Sequence, residues 1–131
     1  MIAFDTNMFV RLCLNDDPAQ TQTVKQLLKS VNAFSTPVTV MLELVWVLES
    51  KRVQRADIAQ YLMRICALPN FFSEDSDALE NAVEAYEQGL DFADALHLAL
   101  SSSFETLLTF DRAFVKKAKQ HKLAPPVMLA Q

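Results

Sequence analysis

Five short apolar runs, at residues 2–5, 33–36, 71–73, 106–110 and 127–129, are each separated from the next by at least one stretch of helical periodicity. A tight hairpin cannot join strands that a helix separates. Such strands are linked by crossovers, which run them parallel. The pattern therefore predicts an α/β sandwich built on a central, mainly parallel sheet of about five strands.

The intervening stretches carry their own start and stop signals. Thr6 and Asn7 offer an N-cap to a first helix bearing Met8, Phe9, Leu12 and Cys13. Asn15-Asp16-Asp17-Pro18 ends that helix and opens a second, with Pro18 in its first turn and Val24, Leu27, Leu28 and Val31 inward. Residues 37–50 form a strongly apolar third helix, and residues 55–66 a fourth with Ile58, Tyr61, Leu62 and Ile65 inward. A fifth helix over 74–88 closes at Gly89, where a C′ glycine is expected. Asp91 caps a sixth that reaches about residue 102, and a basic seventh covers 112–121.

Repeats, linkers and low-complexity tracts are absent, so residues 1–131 read as one domain, long enough to bury a core without staples. A hydrophobic content of 51% places the chain among globular proteins. The single glycine argues against a turn-rich all-β fold and leaves no glycine-rich phosphate cradle. Cys13 and Cys66 lack CxxC spacing and lie in apolar helical stretches, which points to a reduced, intracellular protein. No run approaches the roughly 20 apolar residues of a membrane span. The opening Met1-Ile2-Ala3-Phe4-Asp5 has no basic segment, so a cytoplasmic location is the expectation. The net charge of −4 gives no general attraction for nucleic acid, against a plain RNA-binding module. An enzyme that meets phosphate through a bound cation is not excluded.

Four acids stand where carboxylates are costly or aimed at one place. In a parallel sheet, sites form outside the carboxyl ends of the strands. Asp5 follows the first apolar run, and Asp111 follows the fourth. Either also reads as a loop aspartate capping the next helix. Glu43 lies in Val40-Met41-Leu42-Glu43-Leu44-Val45-Trp46-Val47-Leu48, the least polar stretch, with Thr39, Val40, Trp46 and Val47 as its helical neighbours. The expectation is a carboxylate on a buried face, which must be paired, neutralised or bound to metal; the alternative is a thin solvent stripe. Asp94 falls three residues after Asp91, in the first turn of the sixth helix, where the helix dipole would also favour it. Together the four would repel unless a cation lay between them. All-oxygen donors favour Mg²⁺ or Mn²⁺ over zinc.

Phe4-Asp5-Thr6-Asn7, the Val40 to Leu48 stretch, Asp91-Phe92-Ala93-Asp94-Ala95-Leu96-His97 and Leu107-Leu108-Thr109-Phe110-Asp111 resemble the successive signatures of PIN-domain toxins of the VapC family. The resemblance runs from Ile2 to about Lys119. It implies a three-layer α/β/α PIN-like fold, with Asp5, Glu43, Asp94 and Asp111 as metal ligands and Asn7 as a polar support. It further implies cutting of RNA, often transfer RNA, by a homodimer whose site is covered by the tail of a cognate antitoxin.

Such a ligand set implies metal-assisted hydrolysis of a phosphodiester, with no side chain as nucleophile and with 5′-phosphate and 3′-hydroxyl products. Glu43 would either ligate or position water. Asp91 reads as a cap supporting the site, and His97, one turn beyond Asp94, as a packed residue or a substrate contact. Arg11, Lys51, Arg52 and Arg55 are the basic residues expected to meet RNA or antitoxin, with surface solvation an equal reading of each, while Lys116, Lys117 and Lys119 read as a solvated face. An aspartate-nucleophile phosphatase would want a second acid where the chain has Asn7. A silent protein-binding module would not need to keep a costly charge cluster.

Overall fold

The computed structural model describes residues 1–131, which fall into two compact units, Met1–Ser76 and Asp77–Gln131. The first holds β1 (Ile2–Ala3), α1 (Thr6–Leu14), α2 (Pro18–Ser30), β2 (Phe34–Ser35), α3 (Val38–Ser50) and α4 (Arg55–Cys66). β1 and β2 pair in parallel, with Ile2 opposite Phe34 and Ala3 opposite Ser35. The run at 71–73 is not a full strand. It touches β2 through one parallel bridge, Phe34 to Phe71, after which Phe72 turns outward to solvent.

Aromatic packing holds this edge together. The rings of Phe4 and Phe34 stack at 4.6 Å, and Phe71 and Phe9 flank them at 5.3 Å from Phe34 and 5.9 Å from Phe4. Burying each ring contributes about 1.5–3 kcal/mol, and the offset contacts add to it. The same packing sets where β1 ends. The Thr36 hydroxyl donates to the Phe4 carbonyl at 2.7 Å, and the Phe4 amide donates to the Ser35 carbonyl at 2.9 Å. Pro18 opens α2 as expected, and the Thr21 hydroxyl donates to the Arg11 carbonyl at 3.0 Å, tying α2 to the end of α1.

The second unit holds α5 (Ser76–Glu87), which starts on the last residue of the first, then α6 (Phe92–Leu100), β3 (Leu107–Thr109), α7 (Arg112–Gln120) and β4 (Val127–Leu129). β3 and β4 pair in parallel over three positions, from Leu107 opposite Val127 to Thr109 opposite Leu129. Gly89 adopts φ 115°, a conformation that suits glycine alone, and turns the chain from α5 into α6. Across that turn Tyr86 and Phe92 meet edge to face at 5.6 Å. Every strand pair is parallel, as crossovers require, and four of the five expected runs are strands. No helix is long and apolar enough to cross a membrane.

Candidate metal centre

Asp5 is the N-cap of α1, a role expected of Thr6 or Asn7. β1 stops two residues after it starts, so the chain turns into the helix earlier than the apolar run suggests. Asp5 Oδ1 accepts from the Thr6 amide at 2.7 Å, leaving Oδ2 without a hydrogen bond on an exposed side chain. Beside it the Thr6 hydroxyl is buried and has no hydrogen-bond partner. A buried hydroxyl left over at a strand end is a group that a water or ligand oxygen would satisfy. Asn7 follows on the exposed side of α1.

Glu43 departs from expectation. It is exposed, and so are Thr39, Trp46 and Ser50, which lie on the same line along α3. Met41, Leu44, Val45 and Leu48 take the buried face. The carboxylate therefore carries no burial penalty, and the case for it as a forced metal ligand falls. Its place in the site rests on the motif around it.

In the second unit three carboxylates share one neighbourhood. Asp91 caps α6, its Oδ2 accepting from the Asp94 amide at 3.1 Å. Asp111 follows β3 and caps α7, its Oδ1 accepting from the Phe114 amide at 3.1 Å, while its own amide donates to the Thr109 hydroxyl at 3.0 Å. Asp94, in the first turn of α6, is half-buried. Burial first, then the like charges of Asp91 and Asp111, push its carboxyl above the ordinary value of 3.8, against the pull of His97 and Lys117. Burial and neighbouring like charges thus outweigh the nearby positive charge at Asp94.

Lys117 is the residue the sequence reading missed. It is exposed, yet its ammonium donates to the Gly89 carbonyl at 3.0 Å and its charge reaches Asp94. No spacing along the chain brings positions 89, 94 and 117 together; only the packing of α7 does. His97 is exposed and likewise acts on Asp94, rather than being packed away.

No three His, Cys, Asp or Glu side chains of the structure gather into a ready cage for a metal ion. The donor chemistry nevertheless fits a hard divalent cation. Asp5 and Asp111 each keep one carboxylate oxygen outside the capping hydrogen bond, and no thiol or imidazole pair competes.

The model of one family, described as PIN domain, matches residues 2–120 and so runs through both units. No curated protein and no solved structure is similar enough to count as a match.

Proposed function

The chain belongs to the PIN domain family, and on that footing we propose that it is a Mg²⁺- or Mn²⁺-dependent endoribonuclease, the toxin of a VapC-type toxin–antitoxin pair. PIN domains are nuclease folds, usually metal-dependent ribonucleases, with a three-layer α/β/α architecture. The helices and parallel strand pairs of both units are compatible with that class. The reading treats residues 1–131 as one domain, which the extent of the family match supports.

The observation that carries the reading is the PIN domain match over residues 2–120, which takes in all four acids, with Asp91, Asp94 and Asp111 acting on one another around α6. Asp5, Glu43, Asp94 and Asp111 would hold the cation, with Asn7 and Asp91 in support. A divalent ion bound there supplies Lewis-acid stabilisation of charge on the phosphate and makes nearby water more acidic. The chain's own part is positional. Capping bonds fix Asp5 after β1 and Asp111 after β3, and each keeps a carboxylate oxygen outside its cap for a cation. Asp91 holds the first turn of α6 and with it Asp94. Water adds to phosphorus, the bond to the 3′ oxygen breaks, and the departing oxygen takes a proton, giving 5′-phosphate and 3′-hydroxyl ends.

Substrate, partner and assembly follow the family resemblance: structured RNA such as transfer RNA, a cognate antitoxin, a homodimer and a cytoplasmic setting. Large apolar side chains left in solvent support a partner surface, among them Trp46 in the first unit and Leu108, Phe110 and Met128 in the second. The test is incubation of purified protein with structured RNA. Cleavage in Mg²⁺ or Mn²⁺ that stops in EDTA is expected; cleavage undiminished by EDTA would refute the reading.

A further inference from the structure

Resting on the ribonuclease reading for its ligand, we propose that a pocket between α1 and α2 receives one unpaired nucleobase of the RNA, with guanine preferred. The pocket has a volume of about 260 Å³ and is lined by Asn7, Met8, Arg11, Gln20, Thr23 and Val24. Pockets for whole small ligands run from roughly 300 to 1,000 Å³, so this one suits a base rather than a complete nucleotide. Asn7 stands two residues beyond Asp5, and Arg11 lies about 9 Å further along the helix axis than Asp5 at the rise of an α-helix. A base in the pocket thus belongs to a nucleotide close to the one cut.

The lining has the chemistry of base recognition. Met8 and Val24 offer apolar walls for ring faces. Arg11 is held in place: its Nε donates to Gln20 Oε1 at 2.6 Å, and its Nη1 to an Asp16 carboxylate oxygen at 3.2 Å. Its side chain is 23% exposed. A clamp between the two helices would use these bonds alone. What it leaves over is informative, since Arg11 Nη2 and the side-chain nitrogen Nε2 of Gln20 donate to no protein group. Water meets these donors in the free protein, and an acceptor-rich ligand in the pocket would take its place. The ion pair with Asp16 offsets the guanidinium charge, which favours a neutral base over a phosphate. Single-stranded RNA is read by this kind of contact to base edges. On its Hoogsteen edge guanine presents two adjacent acceptors, O6 and N7, where the same edge of cytosine presents an amino donor.

The test uses the full chain in EDTA with guanosine 5′-monophosphate or cytidine 5′-monophosphate as probe, read by nitrogen-15 NMR. Guanosine should shift the side-chain signals of Arg11 and Gln20, and cytidine should shift them far less. Thr23→Phe, which fills the pocket from an exposed helix position, should remove the response at unchanged melting temperature. Gln20→Glu, which keeps the acceptor for Arg11 but loses the amide donors, should remove the guanosine preference. In cleavage, wild type should favour guanine over cytosine or an abasic nucleotide at one flanking position by about tenfold, the weight of one good base contact. Thr23→Phe should cut the abasic RNA at the wild-type rate. If the NMR response holds but no RNA is cut, the ribonuclease reading fails and the base pocket stands. Absence of a guanosine response, or cleavage indifferent to the base, overturns the pocket.

Discussion

Thr36 and Phe4, 32 positions apart in the chain, are joined in the interior by a hydrogen bond of 2.7 Å from the threonine hydroxyl to the phenylalanine carbonyl. This bond sits one residue before Asp5 and fixes the point at which β1 gives way to α1. Thr36→Val keeps the shape and strands the carbonyl in a buried place. It should cost about 1–3 kcal/mol, the penalty of one unsatisfied buried acceptor. Urea denaturation measures it, and a change below about 0.5 kcal/mol, the scatter of surface substitutions, would show that the bond holds nothing in place.

Asp5 and Asp111 combine a structural task with the proposed chemical one, and the two separate cleanly. Asparagine caps a helix about as well as aspartate. Asp5→Asn and Asp111→Asn should therefore stay within about 0.5 kcal/mol of wild type in stability. RNA cleavage in Mn²⁺ should nonetheless fall by about 100-fold or more, because an anionic oxygen is lost. Undiminished cleavage by a well-folded Asp5→Asn would remove Asp5 from the site.

The Asp94 carboxyl lies above its ordinary value of 3.8 because of burial, then Asp91 and Asp111. A raised folded-state value means that the folded chain keeps a proton the unfolded chain has lost. The contribution of Asp94 to stability is therefore full below the ordinary value and is lost as pH rises through the raised one. Carbon-13 titration of the metal-free protein should place its midpoint above 3.8. Asp111→Asn should lower that midpoint, and Lys117→Met should raise it. Melting temperature should decline over the same interval, and by less in Asp94→Asn. A midpoint at or below 3.8 contradicts the gathering of charge around α6.

Glu43 is exposed, so Glu43→Gln should change metal-free stability by no more than about 0.5 kcal/mol. If Glu43 nevertheless serves the cation, the substitution will blunt the response to metal. Wild type should gain about 2.7 kcal/mol from Mn²⁺ at a hundredfold excess over its dissociation constant, and the variant much less. Equal stabilisation of both proteins, with cleavage intact, would make Glu43 an ordinary surface residue.

Much of the fold was legible because its signals are local. Pro18 inside the start of α2, Gly89 after α5 and Asp91 before α6 each act through their own backbone conformation, and each stands where those signals put it. Asp94 and Asp111 were legible as a first-turn acid and a strand-end acid for the same reason. The cap of α1 was misread by a residue or two, since β1 is only two residues long and periodicity has no power over so short a run.

The sequence by itself determined the alternation of strand and helix, the parallel sense of strand pairing and the positions of the four acids, because turn chemistry and helical period depend on neighbours in the chain. The tertiary structure alone decided which side of α3 meets solvent. That helix is apolar almost all the way round, so no stripe marks an inside, and Glu43 faces out only because Met41, Leu44, Val45 and Leu48 pack inward. It also decided that Lys117 reaches Gly89 and acts on Asp94, and that Thr36 holds the end of β1. Those contacts join residues remote in sequence, and their energies depend on distances that only packing sets.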